Sequence, residues 1–442
     1  MFVLSCCFIK ISLCEKFSNL KVHDEAEWTV AVYMNADNNL EYCVTGGIWK
    51  PCQIDAPGEP HHPRIKDKLF GNRRINWKDE FIIKGDFHNE LANPGSSSNI
   101  HVVALVDRVP GYSHNMDNWT ETRLYYINEG DYPDNTRGTY WVDENMTEMN
   151  MGNPATVLWF MKIIQEYFPA KHYYLSMWDH NWGWHDGNFE LDLTNDGDTI
   201  SYGDLYDELR GGGHDLHKVD VIGYDACVSA QIEVLHTWSM FANQFAGSQD
   251  YIGWDGVNYT SVLNFMNEPQ SPSPEQIAVS VANSMMTDPN VGCASAVDIS
   301  CPDFWYLVES IDNLGSYLQE HVNSLRQRLI TVRQKSAQVP SDSVDDENHK
   351  DLYSIAEGLF NEFPDKPAIQ VMSEKIMYYV NQTVTYNNIN ETLTSCSGAN
   401  GITIYWTPSG QIPTVDYYRL SFSRNEPYTF GAPNWGQFLK YF

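Results

Sequence analysis

The chain has 442 residues, with 58 Asp plus Glu against 28 Lys plus Arg, for a formal charge of −30 at pH 7. At 42% hydrophobic and 13% aromatic residues it carries too much buriable surface for a disordered acidic chain, and it is too long for a mini-protein. That charge opposes binding to phosphate backbones, where Lys and Arg supply the affinity, so no nucleic-acid partner is expected and basic peptides are favoured.

The amino terminus, MFVLSCCFIKISLCEK, holds an apolar run from Phe2 to Leu13 broken by Lys10. It is shorter than the ~20 apolar residues of a membrane span and lacks the basic start and small-residue cleavage site of a regular signal peptide. Residues 1–27 therefore read as a leader or atypical export signal, no span is expected in the mature chain, and a secreted or cell-surface address follows. Five Asn-X-Ser/Thr sequons, at Asn118, Asn145, Asn258, Asn381 and Asn390, agree mildly with that address.

Strand-like β-branched and aromatic runs follow at 28–34, 100–106, 172–178 and 219–224. Between them, Asn153-Pro154 opens a helical pattern that Pro169 closes, Ser201 and Asp204 open another, and a third is expected from Cys227 through His236. Strands alternating with helices imply right-handed crossovers and a mostly parallel sheet covered on both faces. Residues 50–99, rich in Pro, Gly, His and Asn, interrupt the rhythm and read as an inserted surface loop. Helical patterns dominate after about residue 270, at 274–286, 304–333, 352–360 and 368–382, before a late strand at 401–406. The organisation expected is a core over 28–265 and a C-terminal, largely helical part over 266–442 packed on it.

The cysteines are Cys6, Cys7, Cys14, Cys43, Cys52, Cys227, Cys293, Cys301 and Cys396, and none forms a Cys-x-x-Cys pair of the kind structural zinc requires. Cys43 with Cys52, or Cys293 with Cys301, are the pairs an oxidising compartment would allow. Cys227 stands apart. It follows the strand-like Val221-Ile-Gly-Tyr-Asp225, while His180 follows Tyr174-Leu-Ser-Met-Trp-Asp179. In a parallel sheet both would reach the same carboxyl rim, where an imidazole can take a thiol's proton, and a helix starting at Cys227 would favour the thiolate. Taken singly, Cys227 reads as a small buried hydrophobe, His180 as a satisfied polar residue and Asp225 as a helix cap. Their joint occurrence at two strand ends carries the functional reading.

These segments resemble the clostripain family of cysteine peptidases, related to gingipains, legumains and caspases. The resemblance runs in order through Trp28–Tyr33 with Asp37–Glu41, Val102–Arg108, the His180 and Cys227 segments, Glu233, Gly247-Ser-Gln249 with Gly253–Gly256, Asp351–Tyr353, Gly401–Tyr405 and Asn434–Leu439. It implies a caspase-like α/β fold, with Cys227 as nucleophile, His180 as its acid/base partner, and the backbone N–H groups of Cys227 and Asn181 as the oxyanion hole. The family has glycine where this chain has Asn181, a residue type that tolerates left-handed backbone. The resemblance also puts Asp225 in the pocket for the residue before the scissile bond, implying selection of Arg or Lys, with Asp255 as a second carboxylate or a turn residue. Protein or peptide substrates with basic residues are the partners implied, and Arg210, in Arg-Gly-Gly-Gly213, is a possible self-cleavage point or part of an ordinary connector.

No cofactor is required for this chemistry. Calcium dependence occurs among relatives, and Asp192-Leu-Thr-Asn-Asp196-Gly-Asp198 looks slightly like a calcium loop, but its twelfth position is Gly203 rather than the closing Glu of an EF-hand. Two further readings stand beside the peptidase: an inactive secreted homologue that holds peptides in the same cleft, and a hydrolase with His180 and His185 as metal ligands. The second is weaker because a five-residue spacing does not share one helical face.

Overall fold

Nine strands lie in one sheet among the described residues of the computed structural model, which are 20–38, 40–41, 47–49, 81–83, 86–109, 120–131, 140–141, 148–185, 189–340, 347–426 and 430–442. In chain order the strands are β1 (Ala26–Ala36), β2 (Ile100–Arg108), β3 (Arg123–Tyr126), β4 (Tyr140–Trp141), β5 (Ala170–Trp178), β6 (Val219–Asp225), β7 (Ala242–Gly247), β8 (Cys293–Asp298) and β9 (Val384–Ile389). Their order across the sheet is β9-β8-β7-β6-β5-β1-β2-β3-β4. The five central strands, β7 to β2, are parallel, and both edges are antiparallel.

The continuous apolar runs of the central strands are buried on both sides, as parallel strands require. Ala31, Tyr33, Val103, Leu105, Leu175 and Ile222 face one core, and Val30, Val32, Val102, Ala104, Tyr174 and Val221 face the other. The first core is covered by α1 (Pro154–Tyr167), α2 (Tyr202–Gly212), α3 (Ile232–Trp238) and, beyond two further helices, α6 (Pro302–Lys335); α4 (Tyr259–Met266) and α5 (Pro274–Met285) cover the second. The caps expected from sequence form: Asn153 accepts from Ala155 N and Ser201 from Asp204 N.

Strands β8 and β9, both beyond residue 265, extend the sheet, so the C-terminal part is not only helical. Their helical neighbours are α7 (Leu352–Glu362), α8 (Pro367–Thr383) and α9 (Pro433–Tyr441). Several segments that matched the family motifs meet here. Asp351 caps α7 through Ser354 N and also receives Gln249 Nε2, Asn400 N and Asn400 Nδ2, while Gln249 Oε1 accepts from Gly401 N.

Three expectations are corrected. The helix assigned to Cys227 begins at Ile232, with Gln231 as its N-cap, so Cys227 sits in a turn with no helix amino end on it. The pair Cys293–Cys301 is excluded because the thiols lie at opposite ends of β8 and beyond it, where strand rise carries them well past bridging distance. Cys293 instead lies against Cys396, whose Sγ also donates to Asp250 Oδ2 at 3.3 Å. Within the supposed surface insertion, Asp86, Phe87, Leu91 and Ala92 are buried. Residues 1–19 of the expected leader, with Cys6, Cys7 and Cys14, as well as Cys43, Cys52, Asn118, Asn145 and all of 50–80, lie outside the described residues.

The long helix α6 carries Gly315 where α9 crosses it: a Cβ there would stand 2.4 Å from Trp435 N. Asp312, one turn away, accepts from Asn434 N and Nδ2, locking that approach. Gly315→Ala is expected to cost about 1–3 kcal/mol through overpacking, despite alanine's better helix propensity, as measured by urea unfolding; a stabilised variant would show that α9 is not held this close.

Candidate active site

Strands β5 and β6 run parallel with Met177 beside Tyr224 and Trp178 beside Asp225. Each chain continues two residues beyond that last pair, to His180 and Cys227, so the imidazole and the thiol leave neighbouring strands at matching height. Parallel neighbours lie about 4.8 Å apart. His180 is 9% exposed and stacks on Trp182, with ring centroids 5.5 Å apart, whereas Cys227 is half-buried. Burial pulls the His180 imidazole down to about 3, so it is neutral at physiological pH. Neutral imidazole is the form that accepts a proton.

The turn after Cys227 is forced. Val228 has φ +48°, a conformation β-branched residues rarely adopt, and it is held there by Val228 N donating to Asp250 O at 3.0 Å and Ala230 N donating to Ser248 O at 2.9 Å. On the histidine side, Asn181 Oδ1 accepts from Gly183 N at 2.9 Å and Tyr202 Oη at 3.3 Å. Asn181 does not adopt positive φ; that conformation falls at Gly183, φ +74°, where a Cβ would strike the Gln231 side chain at 2.1 Å. The glycine-to-asparagine departure therefore imposes no backbone strain, and Gln231 is free to accept from Trp184 N at 3.0 Å. Behind His180, Asp179 Oδ1 accepts from Asn38 Nδ2 at 2.7 Å and Asp179 Oδ2 from Leu191 N at 2.5 Å, fixing the start of the loop.

Asp225 lies 6% exposed at the end of β6. Its Oδ1 accepts from Val257 N at 3.0 Å, its Oδ2 has no hydrogen-bond partner, and burial pushes the carboxyl up to about 7. Two carboxylates that sequence reading missed sit with it, both on the π-helical turn Asp86–Leu91. Asp86 Oδ2 accepts from Trp178 Nε1 at 2.8 Å and Glu90 Oε2 from Tyr259 N at 2.8 Å. Burial, then Asp225 and Glu90, raise the Asp86 carboxyl well above its usual range, with Asp255 adding to the effect from an exposed position. Gly256, φ +50°, leaves room for Asp225, since a Cβ would come within 2.2 Å of its Oδ1. No spacing rule links residues 86 and 90 to 225, so nothing in the sequence pattern marked them.

Arg210 lies elsewhere, in the last turn of α2 rather than in a flexible loop, with its guanidinium 3.6 Å from Glu426. His185 stacks on Tyr405, with ring centroids 5.5 Å apart.

The two strand ends thus bring a thiol and a neutral imidazole to the carboxyl rim of a parallel sheet, beside buried carboxylates. The sequence profile of the clostripain family matches residues 79–442, and the chain belongs to that family. It is similar to clostripain of Hathewaya histolytica, 26% identical in an alignment 195 positions long that covers 38% of this chain and 36% of that protein's length. Its fold is similar to that of a secreted C11 cysteine protease from Bacteroides thetaiotaomicron in complex with an irreversible peptide inhibitor, with a TM-score of 0.56 and 16% identity over 89% of this chain and 96% of that one. It is also similar to an inactive zymogen C11 protease from Parabacteroides distasonis, with a TM-score of 0.53 and 14% identity over 90% and 97% of the two chains.

The environment of His180 makes a direct prediction. Its ring protons should show no titration between pH 5 and 8 in histidine NMR spectra assigned with His180→Gln; a midpoint near the ordinary value of about 6.5 would mean the ring is not desolvated.

Proposed function

We propose that the protein is an exported cysteine endopeptidase cutting after Arg or Lys, with Cys227 as nucleophile and His180 as acid/base partner. The observation that carries this reading is the β5–β6 register, which brings both strand ends to one rim beside the buried carboxylate of Asp225. Cys227 Sγ attacks the scissile carbonyl carbon as His180 takes the thiol proton, forming a C–S bond and an oxyanion held by the backbone N–H groups of Cys227 and Asn181. The imidazolium passes that proton to the departing amine as the C–N bond breaks, leaving a thioester. Water, deprotonated by His180, then attacks the thioester and releases the acid, and the sulfur regains its proton. The developing oxyanion in the same cleft offsets the cost of charging a buried imidazole.

The acidic pocket supports the specificity. A guanidinium or ammonium entering beside Asp225, Asp86 and Glu90 replaces mutual repulsion with attraction and gives Asp225 Oδ2 a donor; Arg gains further from bidentate pairing. Export is supported by the likeness to a secreted C11 protease; among the described residues no helix is long and apolar enough to cross a membrane.

Fluorogenic peptides ending in Arg, Lys, Asn, Asp or Leu test the reading. Arg and Lys peptides should be turned over, Cys227→Ala should abolish turnover, and His180→Ala should lower kcat by about 10²–10⁴-fold. Asp225→Asn should lower kcat/KM for Arg peptides on the order of 10²–10³-fold. Because Asp225 must be ionised to bind a cation and titrates at about 7, kcat/KM for Arg peptides should rise with pH through that value. Preference for Asn or Asp peptides would overturn the pocket assignment, and absence of turnover by folded protein, even after limited proteolysis, would leave the peptide-binding homologue.

Self-cleavage after Arg210 belongs to the same reading, and needs the last turn of α2 to unwind so that the bond can enter the cleft extended. Intact mass and amino-terminal sequencing should find a break after Arg210 in wild type and none in Cys227→Ala or Arg210→Gln. An uncut, fully active wild type would reject it.

A further inference from the structure

We propose that Cys293 and Cys396 are joined by a disulfide bond that pins the segment after β9 to β8, behind the turn carrying Cys227. Cys293 opens β8, where it pairs with Ile389 at the end of β9, and Cys396 lies in the turns between β9 and the strand Thr403–Tyr405. Asn390 N donates to Gly292 O at 2.8 Å, so the chain leaving β9 folds back over the residue before Cys293. The two thiols meet there in a small apolar cluster with Val339 and Ala399, Cys293 1% and Cys396 0% exposed.

The crossing is built for close approach. A Cβ on Gly292 would stand 2.7 Å from Cys396 Sγ and 2.8 Å from Ser395 Oγ, so only glycine leaves Cys396 room beside the backbone that carries Cys293. Closing the bond removes the proton that Cys396 donates to Asp250 Oδ2 at 3.3 Å, but that oxygen keeps the Ser395 hydroxyl at 2.6 Å, so the carboxylate is not orphaned. Left unjoined, Cys396 has little chemistry to offer. Contact with Cys293, then burial and the Asp250 carboxylate, push its thiol far up, and the thiolate is the form that attacks a substrate or binds a metal. Cys301, the partner that spacing suggested, is engaged beyond the far end of β8, where its Sγ donates to Asp298 O at 3.3 Å.

The bond forms while the chain folds, before both sulfurs are buried. One thiolate attacks a small disulfide oxidant such as oxidised glutathione, making a mixed disulfide and releasing one glutathione thiol, and the second cysteine then displaces the other. Two S–H bonds give way to one S–S bond, and the two electrons and two protons leave on the oxidant as two thiols. An oxidising compartment is what the export reading supplies, so the bond in the cell rests on that reading, while the pairing itself does not. In the folded chain the bridge backs the nucleophile's turn: Cys293 O accepts from Ser248 Oγ at 2.6 Å, Ser248 Oγ accepts from Asp250 N at 2.9 Å, and Asp250 O receives Val228 N. It closes a loop of roughly 100 residues, a length at which a cross-link strongly restricts the unfolded chain.

The test refolds the full chain from denaturant in a buffer of oxidised and reduced glutathione, so its outcome does not depend on the protein's address in the cell. Free thiols are then blocked with N-ethylmaleimide in guanidinium, and peptic peptides, cut at acid pH where thiol exchange stops, are mapped by mass spectrometry. The Cys293 and Cys396 peptides should appear linked and separate only after reduction, with Cys227 outside the link. Oxidised protein should melt higher than the same chain refolded in reductant. Of that rise, about 4 °C should be lost in Cys396→Ala and none in Cys301→Ala. Labelling of Cys293 and Cys396 without prior reduction, a link from either to another cysteine, or a rise unchanged in Cys396→Ala would overturn the assignment. Should Cys396→Ala fail to fold, the wild-type peptide map alone decides.

Discussion

The parallel pairing of β5 with β6 is the constraint on which the rest of the site depends. Because Trp178 lies beside Asp225, residues two beyond each strand stand level at the rim. A one-residue slip would turn Asp225 to the opposite face and carry Cys227 out of reach of His180. The register is held by burial on both faces, with Tyr174 and Val221 packed in one core and Leu175 and Ile222 in the other. Above the rim, the turn after β6 is tied to the chain that follows β7, where Asp250 O and Ser248 O receive the N–H groups of Val228 and Ala230.

Electrostatics here works by withheld compensation. The acidic excess of the composition is not spread evenly over the surface: Asp86, Glu90 and Asp225 are buried together, as are Asp37, Asp107 and Asp192. Burial, with neighbouring carboxylates, raises Asp86, Asp225, Asp37 and Asp107 above the usual carboxylate range. The first lies beside the rim reached by Cys227, while the second adjoins the segments that hold Asp179.

The central strands, α1 and α2 were legible because their signals are local: β-branched runs, Asn153 before Pro154, Ser201 before Asp204. That Cys227 and His180 would reach one rim was legible because strand ends in a parallel sheet share it. The helix drawn at Cys227 failed because its apolar periodicity begins earlier than its hydrogen bonds, the backbone being diverted at Val228 toward Asp250. Asp86 and Glu90 were hidden by composition, since the segment around them is rich in loop formers yet Phe87 and Leu91 anchor it under the sheet. The edge strand β9, Val-Thr-Tyr-Asn-Asn-Ile, was hidden by exposure, having no clean buried face to create a pattern.

Strand order carries one more consequence. Every strand on the β5 side of the β5–β6 boundary, β5-β1-β2-β3-β4, precedes Arg210, and every strand on the other, β6 to β9, follows it. The sheet is thus two sequence-continuous halves joined by backbone hydrogen bonds and two shared cores, with α2 and its connections as the covalent crossing. A chain severed there would remain a single folded body, its halves separable only by denaturation, and the two fragments made separately have the surfaces needed to reassemble by complementation.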